Sequence, residues 1–141
     1  MIKVLIDTNV LIYAIDQKSV FFQDARDILE AGKYELYTTS KNLTEFMVVA
    51  TKNSGYGLNT DIASDILEDI THNLEVLYPN KTSSTILSEL IRKYSPKGAI
   101  IHDFEIVAIG IAHGVMNIAT FNTKDFTGIN EVSLIGSPDI G

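Results

Sequence analysis

The stretch Lys3-Val4-Leu5-Ile6-Asp7-Thr8-Asn9 limits the possible folds of this chain more than any other. Val4, Leu5 and Ile6 form an apolar run without polar alternation, which suits a strand buried on both faces of a parallel sheet. An acid, a hydroxyl and an amide follow at once. Asp7 therefore stands at the carboxyl end of the strand, where open α/β sheets bind their ligands. Asp7 also suits the N-cap of a helix carried by Val10, Leu11 and Ala14. Taken alone, capping is the simpler role. Only a constellation of further groups turns Asp7 into a site.

The rest of the chain alternates between strand and helix patterns. Ile2–Ile6 reads as the first strand and Val10–Ala14 as a short helix. Ser19–Ala31 carries Phe22, Ala25, Ile28 and Leu29 at helical spacing, and Gly32 suits the position just past its end. Glu35–Thr38 is a short strand, and Ser40 is the expected N-cap of a helix over Lys41–Thr51. Asn53–Gly57 is a loop, and Thr60 or Asp61 opens an amphipathic helix through Ile70. Glu75–Tyr78 (strand), Ser83–Tyr94 (helix), Ser95–Gly98 (loop), Asp103–His113 (helix), Asn117–Thr120 (strand) and Val132–Ile135 (strand) follow, and the tail Gly136–Gly141 reads as loose. This alternation indicates a parallel sheet covered by helices on both faces. The 141 residues fit one domain, 1–141, with no repeat or linker.

Composition narrows the chemistry. No cysteine is present, so a disulfide framework, a thiolate metal site and a thiol nucleophile are all excluded, and a reducing cytoplasm is the expected setting. The longest nearly apolar run, Ile106–Ala112, is too short to span a bilayer. The net charge of -7 and the presence of only two arginines, Arg26 and Arg92, argue against a broadly basic phosphate-binding surface. Any contact with nucleic acid has to rest on local patches, with Lys41, Lys52, Lys97 and Lys124 as candidates, or on bound metal.

Three further places carry candidate chemistry. Glu45 is flanked on its helical wheel by Val48 and Val49, an apolar surround in which a carboxylate needs a metal or a partner charge. Its plain alternative is an exposed acid paired with Lys41 one turn earlier. Asp103 opens a helix that is apolar almost all round, so that end lies inside the fold or at a cleft, unless Asp103 merely caps it. Glu105, about 200° further round the helix, does not share its site. Thr120-Phe121-Asn122-Thr123-Lys124-Asp125-Phe126 sets a hydroxyl, an amide and a carboxylate at another strand end, although Asn and Asp also suit ordinary turns.

The Ile-Asp-Thr-Asn start, the Leu43-Thr44-Glu45-Phe46 helix, the His102-Asp103 helix and the TFNTKDF turn together resemble the PIN domain, and within it the small VapC-like toxins of prokaryotic toxin–antitoxin pairs. The resemblance covers Ile2 to about Phe126 and rests on the order and spacing of these motifs. It implies a three-layer α/β/α sandwich around a central, mainly parallel sheet of four to five strands. It also implies a metal-dependent endoribonuclease whose acids cluster at the strand carboxyl ends. Carried over, those metal-site and catalytic acids are Asp7, Glu45 and Asp103, with a further position in the Thr120–Asp125 turn. Thr8, Asn9 and Thr120 are the polar supports. Aligning on Asp125-Phe126 makes Asp125 the fourth acid and Asn122 a secondary contact; counting from Thr120 favours Asn122. A homodimer and a small antitoxin partner are further implications.

An all-oxygen carboxylate set suits Mg²⁺ or Mn²⁺, and the scattered His72, His102 and His113 do not suggest zinc. Two carboxylates about 4 Å apart repel by about 1 kcal/mol in water and about 4 kcal/mol at an effective dielectric of 20, so a divalent cation is the expected neutraliser. Two other classes compete. Phosphoryl transfer through an aspartyl-phosphate on Asp7 wants a second acid where Asn9 stands, or a late lysine that only Lys124 offers. A non-catalytic interaction module suits the acidic surface.

Overall fold

In a computed structural model, residues 1–135 are described; the expectation for the tail Gly136–Gly141 lies outside them. Five strands form one sheet: β1 (Ile2–Ile6), β2 (Tyr34–Thr39), β3 (Glu75–Leu77), β4 (Asn117–Ala119) and β5 (Ser133–Ile135). Every pairing is parallel, in the order β3-β2-β1-β4-β5. The helices are α1 (Thr8–Tyr13), α2 (Phe22–Glu30), α3 (Ser40–Thr51), α4 (Thr60–Thr71), α5 (Lys81–Tyr94) and α6 (Ile100–Ala112), with a single 3-10 turn at Thr123–Asp125.

The period-2 geometry of β1 builds the layers. Leu5 faces a core made with Leu90 of α5 and Phe104, Val107 and Ile109 of α6. Val4 and Ile6 face the opposite core, made with Val10 and Leu11 of α1, Ala25 of α2, Phe46 and Ala50 of α3, and Ala63 of α4. All three strand residues are fully buried, as the unalternating apolar run requires. The α/β/α sandwich expected from the sequence is therefore the architecture, with α1 to α4 on one face and α5 and α6 on the other.

The chain runs outward from β1 through β2 to β3, then returns to place β4 on the other side of β1. The order reverses between β1 and β4, and such a reversal opens a crevice at the strand carboxyl ends. Asp7 leaves β1 at that point, its N–H donating to the Ala119 carbonyl of β4 at 3.0 Å.

Several boundaries differ from expectation. Thr39, and not Ser40, caps α3, through a reciprocal capping box with Asn42. Asn80 caps α5, which starts two residues before the expected Ser83. Asn59 caps α4. Helix α6 starts at Ile100, so Asp103 sits in its first turn and does not open it. The Asn53–Gly57 loop and the Gly32 position do follow the sequence, the latter with φ 67° just past α2. Among the described residues, no helix is long and apolar enough to cross a membrane.

Candidate active site

Asp7 caps α1 and also lines a cavity. Its carboxylate accepts from the Thr8 N–H at 2.9 Å, which caps α1. It accepts as well from the Thr120 hydroxyl at 2.8 Å, from the Asn42 amide at 3.3 Å and from the Asn9 amide at 3.5 Å. One buried carboxylate is thus gripped from α1, α3 and the residue just after β4. Thr8, Asn9 and Thr120 are bonded into the same network: the Thr8 hydroxyl accepts from the Asn42 amide at 2.9 Å, and Asn9 donates to Thr120 at 3.1 Å.

Asn42 was not anticipated. It is fully buried. Its amide oxygen accepts from the Thr39 N–H and hydroxyl, while its amide nitrogen reaches Asp7 and Thr8. The sequence signal was a Thr-x-x-Asn capping box straddling the end of β2, hidden by reading Ser40 as the cap.

A cavity of about 530 Å³ opens over Asp7. Its wall brings together Asp7, Glu45, Asp103 and Asp125, with Asn9 and Asn122 beside them. The four expected acids, far apart in sequence, therefore share one hollow at the switch point. His102 also borders it, and no lysine or arginine does. Lys124, required by a phosphoryl-transfer alternative, is exposed and outside this wall, as are Lys41, Lys52 and Lys97. Lys41 pairs with Glu105 at 3.3 Å and not with Glu45, and it borders a neighbouring hollow shared with Glu45 and His102. Lys52, at the far end of α3, lies roughly 10 Å along the helix from Glu45.

The apolar enclosure expected around Glu45 is not found. Glu45 is exposed and Val48 is 54% exposed, because the buried stripe of α3 runs through Asn42, Phe46 and Ala50 instead. Partial desolvation and the nearby Asp7 charge still raise the Glu45 carboxyl above its ordinary value, with His102 pulling the other way. Burial pushes Asp7 up, against the hydrogen bonds from Thr120 and Thr8 that hold it down. Asp103 is pushed to about 7, first by desolvation and then by the charges of Asp7, Asp125 and Glu45. Asp103 makes no cap bond, so the simple capping role does not apply to it. Asn122 donates to Asp125, which lies in the 3-10 turn, so the amide holds the acid beside it.

Among the described residues, no three Asp, Glu, His or Cys side chains are gathered tightly enough to enclose a metal ion as they stand. The donor chemistry nonetheless fits a hard divalent cation: four carboxylates and two amide oxygens, with no lysine or arginine in the wall to oppose their mutual repulsion. Asp7 is pinned, whereas Glu45 is exposed and Asp103 only half-buried, so the latter two have room to turn toward an ion.

Comparison with known proteins agrees with this architecture. The PIN domain profile matches residues 4–131. A search of curated protein sequences gave no match. Among solved structures, the fold is similar to VapBC2 from Rickettsia felis bound to a promoter DNA fragment, with TM-score 0.71, 20% identity, and 97% of this chain and 100% of that chain covered. It is similar to a toxin–antitoxin complex from Klebsiella pneumoniae, with TM-score 0.67, 25% identity and coverage of 92% and 95%. It is also similar to VapC20 of Mycobacterium tuberculosis, described as a sarcin–ricin loop cleaving toxin, with TM-score 0.69, 12% identity and coverage of 90% and 95%. With the profile running from the middle of β1 to the turn before β5, and the acid cavity at the sheet's reversal point, the chain belongs to the PIN domain family.

Proposed function

We propose that this protein is an endoribonuclease that hydrolyses RNA phosphodiester bonds with bound Mg²⁺ or Mn²⁺, and that it is the toxin of a toxin–antitoxin pair. The observation that carries the reading is the set of four carboxylates around one cavity with no lysine or arginine among them. Asp7, Asp103 and Asp125, with Glu45 at the rim, are the residues that would hold the ion. Such an ion, when bound, lowers the pKa of a water, orients it toward phosphorus and stabilises the leaving oxygen.

The chain's own groups prepare that site. Thr120, Asn42 and the Thr8 N–H keep Asp7 in one orientation, so it needs no reorganisation to bind. Asn122 keeps Asp125 beside the cavity. Asp103, its carboxyl pushed up to about 7 by burial and by the neighbouring acids, would respond to a cation that neutralises the cluster. Lys41, Lys97 and Lys124, all exposed, are the candidates to meet phosphates flanking the reacting one.

The toxin assignment draws on the structural relatives, two of which are toxin–antitoxin assemblies. A homodimer through the α4 face, where Ile62 is 54% exposed, belongs to the same reading. RNA incubated with the protein in Mg²⁺ or Mn²⁺ is expected to be cleaved, and in EDTA to stay intact. Asp7→Asn and Asp103→Asn should each abolish cleavage with the circular dichroism of the fold unchanged. Full cleavage in EDTA, or in both variants, refutes the proposal.

A further inference from the structure

One wall of the acid cavity is aromatic. Tyr13 at the end of α1, Phe21 just before α2 and Phe121 after β4 all border the hollow that holds Asp7 and Asp103. Their ring centroids form a tight triangle: Phe21–Phe121 at 5.0 Å with planes 20° apart, Tyr13–Phe21 at 5.1 Å, and Tyr13–Phe121 at 5.5 Å and 63°. All three are half-buried, so the cluster packs against itself and still presents ring surface to the cavity. It is also tied to the acids. The Phe121 N–H donates to the Asn9 amide oxygen at 3.0 Å, and the same amide donates to Thr120, whose hydroxyl holds Asp7.

From this juxtaposition we infer that Tyr13, Phe21 and Phe121 form a stacking platform for the RNA base next to the scissile phosphate. The inference rests on the ribonuclease reading of the acid cavity. A carboxylate cluster recognises a phosphate only through a cation and tells nothing of the base. An aromatic wall in the same cavity supplies what the cluster lacks, since every base has a π-face and stacking is tolerant of sequence. A base inside an A-form duplex has both faces covered by its neighbours, so only loops, bulges and single strands offer a free one.

The test measures binding of a labelled short oligoribonucleotide by fluorescence anisotropy, in Mg²⁺ and in an Asp103→Asn background that prevents turnover. An abasic nucleotide is walked through the sequence. With the aromatic wall intact, one abasic position is expected to weaken binding about tenfold, and the matching duplex to bind more weakly than the single strand. The Phe21→Leu/Phe121→Leu double variant, checked for folding by circular dichroism, should bind the intact strand about tenfold more weakly and show no further loss at the abasic position. Phe121→Tyr should restore the abasic penalty. No measurable binding by the aromatic-intact protein, no sensitive abasic position, or the same penalty in the leucine variant overturns the platform. Cleavage by the unmodified protein is scored separately: cleavage without any abasic effect removes the platform alone, and an abasic effect without cleavage removes the ribonuclease reading alone.

Discussion

Asn42 is the residue on which the site's rigidity should depend most, and Asn42→Ala is the sharpest perturbation of it. The substitution deletes the acceptor for the Thr39 N–H and hydroxyl, and the donor to Asp7 and to Thr8. The hydroxyls can rotate to other partners and Asp7 keeps three donors, so their losses are small. The Thr39 N–H cannot turn; it is left buried without an acceptor, at about 1–3 kcal/mol. Adding the charge-assisted bond to Asp7 brings the expected destabilisation to about 3 kcal/mol. Unfolding entropy for 141 residues is about 0.3 kcal/mol/K, so the melting temperature should fall by about 10 °C. Thr44→Ala serves as the control: it removes a hydroxyl from the exposed side of the same helix and should shift stability by less than about 0.5 kcal/mol. Thermal and urea denaturation of the three proteins measure the difference. A loss below about 1 kcal/mol for Asn42→Ala would mean that the buried network is not what holds Asp7.

The other expectations are briefer. In EDTA, the raised carboxyls of Asp103, Asp7 and Glu45 make the folded protein bind more protons than the unfolded chain, so stability is greatest on the acid side and is lost as pH rises through about 7. Thermal melts across that window should show a falling melting temperature, and a rising one would contradict the coupling of these acids. Gly110→Ala should destabilise by about 2 kcal/mol despite alanine's helix preference, because its Cβ would lie 2.7 Å from the Val115 carbonyl oxygen, a backbone atom that cannot swing away; equal or greater urea resistance would refute this. Asp125→Asn should weaken Mn²⁺ binding in calorimetry more than Asn122→Ala does, since the latter removes only a donor that steadies the acid; the reverse order would make Asn122 the ligand.

The sequence by itself determined the parts of this protein that depend on local rules. The Val4–Ile6 run demanded a strand covered on both faces, and the alternation of periodicities demanded a parallel sheet. Asp7, Asp103 and the Thr120–Phe126 turn were visible because acids and amides stood where strands and helices change over. Three things were settled only by tertiary structure. The strand order β3-β2-β1-β4-β5 brings Thr120 against Asp7 across 113 residues, and a contact of that range has no local signature. Burial of Asn42 follows from α3 rotating its Asn42–Phe46–Ala50 stripe inward, which left Glu45 exposed at the cavity rim and Lys41 facing Glu105. The aromatic wall joins Tyr13, Phe21 and Phe121 from three separate segments, and nothing local to any of them signals the cluster. Periodicity specifies which face of an element is apolar, but the packing of that face against others decides which polar groups meet, because their energies depend on distances that only the assembled layers define.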